Sequence, residues 1–296
     1  MKKIFTILVL IAFILQISTL QSQEDFNKPK GGFKECSAYI YPYIIGINLP
    51  GIKQKIFQMN YDDKGRIIEL NTFNSSGKSS KQLFKYDARN NLVKTQSWDS
   101  TGKISKTIVS NFDDNGLEIE NFESGGNGKL LKKIEYKYNK DGKKIELLIY
   151  GKNENIVSKT AYKYDDNGNI GEEIETLPDG RVTNKTIYKY NAKNQETENC
   201  SYKADGTLIV KITTKYDSNG KINEITKNKA NGSLISKICY KYNPKRQITE
   251  MTEYEKTDKF NKKHLYKYDN YGNQIEEVIY SKSNKAEAKI KFEYKK

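Results

Sequence analysis

Histidine, cysteine, proline and tryptophan are all scarce in this sequence. Its 296 residues include one His, three Cys, five Pro and one Trp. A single histidine, His264, nearly excludes catalytic triads and metal centres that need several imidazoles. Cys36, Cys200 and Cys239 show no CxxC spacing, and their odd count leaves at least one thiol free. We therefore expect no disulfide framework, no metal and no cofactor.

Long apolar runs are also missing beyond the N-terminus. Two lysines precede an apolar run over residues 4–15, and residues 18–22 supply small and polar side chains. A run of about twelve apolar residues is short for a membrane span and is typical of a Sec signal peptide. We therefore predict a signal peptide at 1–22, with an uncleaved N-terminal anchor as the alternative. Because no cysteine directly follows the apolar run, we expect no lipid anchor. The mature protein is predicted to be secreted, periplasmic or at the cell surface, with no membrane span.

Aromatic residues are abundant, with 22 Tyr and 11 Phe, and many of them recur at one phase. An aromatic followed by Asp or Asn returns after a first step of 25 residues and then at steps of 26. This aromatic column consists of Tyr61, Tyr86, Phe112, Tyr138, Tyr164, Tyr190, Tyr216, Tyr242 and Tyr268, and Tyr294 continues it. Three residues after the Asx there is usually a Gly, which is typical of a type I turn closed by a residue with positive φ. A fixed period of this length indicates a repeat architecture.

Each repeat reads as two short strands separated by two turns. The second strand alternates aromatic or apolar residues with lysine, as in IVSKTAYKY at 156–164, which is the period of a half-buried strand. A second Gly column marks the other turn but fails at Glu154, Asp258 and Asn284, so we expect some of those loops to close differently. The sequence predicts an all-β fold, a continuous antiparallel array of about nine 26-residue hairpin repeats over 55–296. Residues 23–54 do not match the repeat and are predicted to form an irregular N-terminal cap over the first sheet edge.

A glutamate column runs along the first strands, with Glu172 as a typical member and Lys94 as its exception. A two-residue loop at residues 179–180 would place Glu172 on the face of the lysines, where a pair with Lys189 is plausible. A bulged loop would shift the register by one residue and place it among the Tyr hydroxyls. We prefer the bulged register, because it aligns the aromatic that ends strand one with the apolar residue that starts strand two.

The motif Y-x-Y-D-x-x-G occurs as YKYDDNG at 162–168, YKYDNYG at 266–272 and FKYDARN at 84–90. It resembles the YD repeats of the RHS family of bacterial surface and toxin-shell proteins. The resemblance implies a long antiparallel sheet that coils into a shell. The period here is longer than is usual for the family, the array is short, and no toxin domain follows it. The resemblance therefore implies a short secreted member with a curved or spiralling single sheet.

The sequence offers no convergent catalytic group. His264 falls in the column that holds Ile134, Ile212, Ile238 and Ile290, which favours a packed sheet-face residue over a general base. Glu172 with Glu173, and Glu276 with Glu277, are the carboxylate pairs that a glycoside hydrolase could use, but neighbours in a strand point to opposite faces. The Asp-Asp-Asn-Gly turn at 165–168 is predicted to be a capped turn rather than a calcium loop. We predict that the protein is not an enzyme.

Three functions remain, of which a scaffold for an unknown protein or polysaccharide at the cell surface is preferred. The second is carbohydrate binding by regularly spaced rings that end the first strands: Trp98, Tyr150, Tyr202, Tyr254 and Tyr280. The third is a polysaccharide-active enzyme. The net charge is +14, but the lysines are spread along the strands and interleaved with glutamate, which is typical of a solvated face. We therefore expect no specific nucleic-acid partner.

Overall fold

The computed structural model describes residues 29–43 and 51–296, so the predicted signal peptide lies outside the described residues. The described chain is built almost entirely of strands, each antiparallel to its neighbours. In chain order they are β1 Glu35–Pro42, β2 Gln54–Tyr61, β3 Ile67–Phe73, β4 Ser79–Tyr86, β5 Leu92–Trp98, β6 Ile104–Phe112, β7 Glu118–Gly125, β8 Leu130–Tyr138, β9 Lys144–Gly151, β10 Ile156–Tyr164, β11 Ile170–Thr176, β12 Val182–Tyr190, β13 Glu196–Lys203, β14 Leu208–Tyr216, β15 Ile222–Lys229, β16 Leu234–Tyr242, β17 Ile248–Glu255, β18 Lys259–Tyr268, β19 Gln274–Tyr280 and β20 Ala286–Lys295. One 3-10 turn, Lys256–Asp258, precedes β18. No helix among the described residues is long and apolar enough to cross a membrane.

The predicted Asx turn is present and follows from local chemistry. In the turn after β10, the Asp165 amide donates to the Asn169 carbonyl and the Gly168 amide donates to the Asp165 carbonyl. Asp165 Oδ1 accepts the amides of Asn167 and Asn169, at 3.0 and 2.8 Å. Gly168 has φ +81°, and the ladder shifts register by one residue beside the turn. This is a type I turn with a glycine bulge, whose twist suits a hairpin.

The prediction that some of the loops without the second glycine close differently is confirmed for one of the three. Glu154 and Asn284 adopt φ of 59° and 55° and form the same pair of backbone hydrogen bonds as the glycine-containing turns. The exception is the loop before β18, where Thr257 and Asp258 both have positive φ within the 3-10 turn. The hydrogen-bonded frame of the hairpin therefore enforces the left-handed step even on residues that disfavour it.

The sheet is not the open, curved or spiralling sheet that we expected. Each strand pairs with the next, and β1 pairs with both β2 and β20, so twenty strands close into a barrel. The closing strand comes from the segment predicted to be an irregular cap, of which residues 35–42 are a regular strand. Ala38 lies directly opposite Phe57 on one side and Phe292 on the other and is fully buried. Because the Ala38 side chain is small, the Phe57 and Phe292 rings approach to 6.1 Å between centroids. Their contact packs the point at which the barrel closes.

The barrel has two chemically different faces. The Tyr face carries the aromatic column, and the Lys face carries the alternating lysines. Most of the buried side chains in the described structure lie on the Tyr face, including Met251, His264, Glu277 and Ile290. Because side chains converge on the concave side of a closed sheet, the Tyr face is the inner face and the Lys face is the outer one. The best-packed cluster spans the closure on β1, β2, β3, β19 and β20.

Candidate functional site

The outer face carries a repeated ion-pair arrangement that we call the Lys–Glu ladder. In it, one glutamate of the column lies between a lysine on the preceding strand and another on the following strand. Glu172 Oε1 bonds Lys163 Nζ at 2.8 Å, and its Oε2 bonds Lys185 Nζ at 2.5 Å. The same double pairing joins Glu146 to Lys137 and Lys159, Glu198 to Lys189 and Lys211, and Glu276 to Lys267 and Lys289. Single pairs continue it as Lys215–Glu224, Lys241–Glu250 and Lys295–Glu35.

The ladder keeps its carboxylates ionised. Hydrogen bonds from Lys163 and Lys185 hold the pKa of Glu172 below its usual value. Bonds from Lys211 and Lys189 lower the pKa of Glu198 to about 2, against the opposing effect of burial. The carboxylates are largely covered, with Glu172 side-chain exposure at 18%, while Lys163 is 68% exposed. The outer surface therefore presents ammonium groups to the solvent, with the acids beneath them.

The ladder corrects the preferred register for the glutamate column. Glu172 pairs with Ile187 across β11 and β12 and lies on the Lys face, not among the Tyr hydroxyls. A bulge is present, between Glu175 and Thr176, and it does align Thr176 with the apolar Val182. The bulge lies at the turn end of the hairpin. The residue pairs farther from the turn therefore keep the register that places Glu172 and Lys185 on the same face.

The rings proposed for ligand stacking also lie on the outer face and are half-buried: Trp98, Tyr150, Tyr202, Tyr254 and Tyr280. In the strand pairing, each of these rings lies directly opposite a lysine on the preceding strand. The ammonium nitrogens of these lysines lie over the ring faces: Lys81 over Trp98 at 4.6 Å, Lys133 over Tyr150 at 5.4 Å, Lys237 over Tyr254 at 4.5 Å and Lys263 over Tyr280 at 4.8 Å. Opposite Tyr202, Lys185 instead bonds Glu172. These are cation–π contacts, which occupy the surface that a sugar ring would need.

A buried polar cluster lies on the inner face of β17, β18 and β19. His264 is 4% exposed and takes a position that isoleucine fills in several other repeats. In the strand pairing it lies directly between Met251 on β17 and Ile279 on β19. Its Nδ1 is 2.7 Å from Glu277 Oε1, and Glu277 is 5% exposed. Its Nε2 is 3.9 Å from Glu253 Oε1 and has no hydrogen-bond partner in the described structure. The sequence drew attention to His264 and Glu277 separately and not to Glu253, because pairing of β18 with both neighbouring strands is what brings the two glutamates to the histidine.

Adjacent glutamates are separated by the sheet, as the strand period requires. Glu276 bonds Lys267 on the outer face at 2.8 Å, while Glu277 bonds His264 on the inner face. The described cysteines are free thiols, and burial raises the pKa of Cys36 to about 12.

Comparison with known proteins finds similar solved structures but no family. No family model matches the chain, and no curated protein matches it. A porin-like protein from Bacteroides uniformis is similar at 10% identity over 90% of this chain and 100% of that chain, with a TM-score of 0.39. A porin-like protein from Bacteroides vulgatus is similar at 12% identity, over 88% and 98%, with a TM-score of 0.30. The Tc holotoxin pore of Photorhabdus luminescens is similar at 11% identity over 78% of this chain and 19% of that chain, with a TM-score of 0.18.

The expected membership of the RHS family is wrong. No family model matches the chain, and its sheet closes into a twenty-strand barrel instead of the coiled open sheet that the resemblance implied. The Tyr-Asp pair that suggested the family is explained locally, since the Asp caps a type I turn and the Tyr lies on the inner face.

Proposed function

We propose that the protein is a non-enzymatic barrel of the cell envelope or the secreted fraction. In this proposal the barrel works in water and presents its outer face to a protein or polysaccharide partner. The observation that carries the proposal is the Lys–Glu ladder, which covers the outer face with paired charges. A closed sheet has no free edge, so such a body stays rigid and does not pair with other strands.

The ladder favours water over lipid as the surroundings of the outer face. On β12 the outward residues alternate as Thr183, Lys185, Ile187 and Lys189, so charge recurs at every second outward position. A lipid-facing barrel instead carries an apolar band, and each lysine at its midplane costs about 2–4 kcal/mol. The inner face is polar too, with Glu173 and Glu253 among its tyrosines.

The ladder also argues against catalysis by its carboxylates. A general acid needs a pKa near the working pH. The lysines that flank Glu172 and Glu198 lower both pKa values and keep the carboxylates ionised.

Sugar stacking has less support than charge-based docking, because lysines cover the faces of Trp98, Tyr254 and Tyr280.

The proposal predicts that the full-length chain, purified without detergent, stays in solution as a single species. In a cloud-point separation with a nonionic detergent we expect it in the aqueous phase, because exposed lysines keep the outer face hydrated. An authentic outer-membrane porin run in parallel should enter the detergent phase. Partition of this protein with the porin, together with discrete conductance steps in a planar bilayer, would overturn the proposal.

A further inference from the structure

The buried histidine cluster has one atom that the fold leaves without a partner. His264 Nε2 is shielded from solvent and makes no hydrogen bond within the described residues. Buried polar atoms are nearly always paired, so an orphan of this kind calls for an explanation. The ring is held firmly, since it stacks on Tyr266 at an interplanar angle of 16° and lies between Met251 and Ile279.

We propose that His264 Nε2 and the Glu253 carboxylate bind a divalent cation of the zinc class on the inner face of the barrel. The two atoms are 3.9 Å apart. This is too far for a hydrogen bond, which needs about 3.2 Å or less. An ion that bonds both atoms at about 2.0–2.2 Å spans such a gap with a bent ligand–metal–ligand angle.

Glu277 prepares the histidine for this role. Glu277 Oε1 lies 2.7 Å from Nδ1, and a hydrogen bond donated by Nδ1–H to it leaves on Nε2 the lone pair that a metal ion requires. A carboxylate behind the histidine is the usual arrangement around metal-binding imidazoles, where it fixes the tautomer and increases basicity. Glu277 is therefore a positioning residue, and Glu253 is the second ligand.

The charge balance of the cluster also favours a cation. Glu253 and Glu277 flank the imidazole on neighbouring strands, and Tyr240 and Tyr266 are the other titratable groups beside them on the inner face. Lys262 lies opposite Glu253 in the register but forms no ion pair in the described part of the chain. Two carboxyl groups converge on one imidazole in a covered site, and a bound cation would offset the cost of burying acidic groups there.

The site would use two protein ligands and keep its remaining positions for small ligands. No group of three or more His, Cys, Asp or Glu among the described residues is placed to hold a metal ion. The Glu253 side chain is 24% exposed, which gives an ion access from the interior of the barrel. An open coordination sphere is typical of sites that take up a further ligand rather than of closed structural sites.

The test is calorimetric titration of Zn²⁺ into the chelator-treated full-length protein, with Co²⁺ as a spectroscopic probe. We expect one ion per chain. His264→Ile should abolish binding, and it should fold because isoleucine fills the same column at Ile134, Ile212 and Ile238. Glu253→Gln should weaken binding by at least about tenfold through loss of a ligand, and Glu277→Gln by about 10–100-fold through loss of positioning. Glu255→Gln, two residues along the same strand, is the matched control and should bind normally.

The Co²⁺ spectrum separates this site from the thiols. Binding at His264 gives visible d–d bands without a sulfur-to-cobalt charge-transfer band in the near ultraviolet. Zn²⁺ binding that persists in His264→Ile, or a charge-transfer band, would place the ion on a cysteine and overturn the proposal. Absence of binding by the unaltered protein would overturn it as well. If His264→Ile fails to fold, the melting temperature of His264→Gln is measured with and without Zn²⁺ instead. A melting temperature that Zn²⁺ does not change supports the proposal, and one that Zn²⁺ raises as in the unaltered protein overturns it.

Discussion

At the scale of single residues, the tyrosine of the aromatic column does more than fill the inner face. Its hydroxyl donates a hydrogen bond to the carbonyl of the residue that starts the first strand of the same repeat, twenty positions earlier in most repeats. The acceptors lie at 2.6–2.9 Å and are Ile67 for Tyr86, Glu118 for Tyr138, Lys144 for Tyr164, Ile170 for Tyr190, Glu196 for Tyr216, Ile222 for Tyr242, Ile248 for Tyr268 and Gln274 for Tyr294. Burial raises the pKa of Tyr268 to about 12, so the hydroxyl stays a donor.

Substitution of Tyr164 by Phe should therefore destabilise the barrel although the ring is kept. Loss of one hydrogen bond to a backbone carbonyl costs about 1 kcal/mol in the free energy of unfolding. Phe112 occupies the same column and has no hydroxyl, so the opposite substitution, which adds a hydroxyl, can be made there. Phe112→Tyr should raise the stability by restoring the bond to the Leu92 carbonyl. Urea unfolding of the two variants measures both signs, and equal midpoints for Tyr164→Phe and the unaltered chain would refute the hydrogen bond's contribution.

At the scale of the hairpin, the turn geometry is imposed on whatever residue stands at its fourth position. Gly180 has φ +87° with open space around it, and Glu154 has φ 59° in an equivalent turn. The sequence predicted the turns where glycine was present, but it did not indicate which of the loops without glycine would keep the same geometry. The reason is that strand pairing on both sides of the loop outweighs the intrinsic cost of one left-handed residue, which is about 1–2 kcal/mol.

Two substitutions measure that cost with opposite signs. Gly180→Val should lower the free energy of unfolding by about 1–3 kcal/mol, because a β-branched residue is strained at positive φ. No neighbouring atom would contact the added Cβ, so the loss reports backbone strain alone. Glu154→Gly should gain about 1 kcal/mol at an exposed site. Thermal melts that place both variants on the same side of the unaltered protein would contradict the shared turn geometry.

At the scale of the whole molecule, the ladder and the closure act together. Each doubly bonded glutamate ties three strands, and β1 joins the first and last hairpins through Ala38. Isolated surface ion pairs contribute little, but connected networks with covered carboxylates contribute more. The stability of the barrel therefore depends on the ionisation of all the glutamates in the Lys–Glu ladder.

The barrel should lose stability in acid. The folded pKa values of Glu146, Glu172 and Glu198 lie below the usual value for glutamate, because lysines donate hydrogen bonds to these carboxylates. Their contribution is therefore complete above about pH 6 and is lost as the pH falls through the folded pKa values, the lowest of which is about 2 for Glu198. Glu172→Gln should cost about 0.5–1 kcal/mol at neutral pH and little at pH ~2.5. Urea midpoints measured across this range should fall below pH ~5, and high salt should weaken the dependence. A midpoint that is the same at pH 7 and pH 3 would exclude a stabilising ladder.

The sequence by itself determined the local structure: the all-β class, the antiparallel hairpins, the 26-residue period and the Asx turns. These follow from contacts within a few residues, such as the Asp165 side chain on its own turn. Tertiary structure alone decided the closure of the ring, the face of Glu172 and the meeting of Glu253, His264 and Glu277. Closure depends on β1 pairing with β20 across almost the whole chain, which no periodic pattern encodes. The face of Glu172 depends on where each hairpin places its bulge, since a shift of one residue exchanges the two faces.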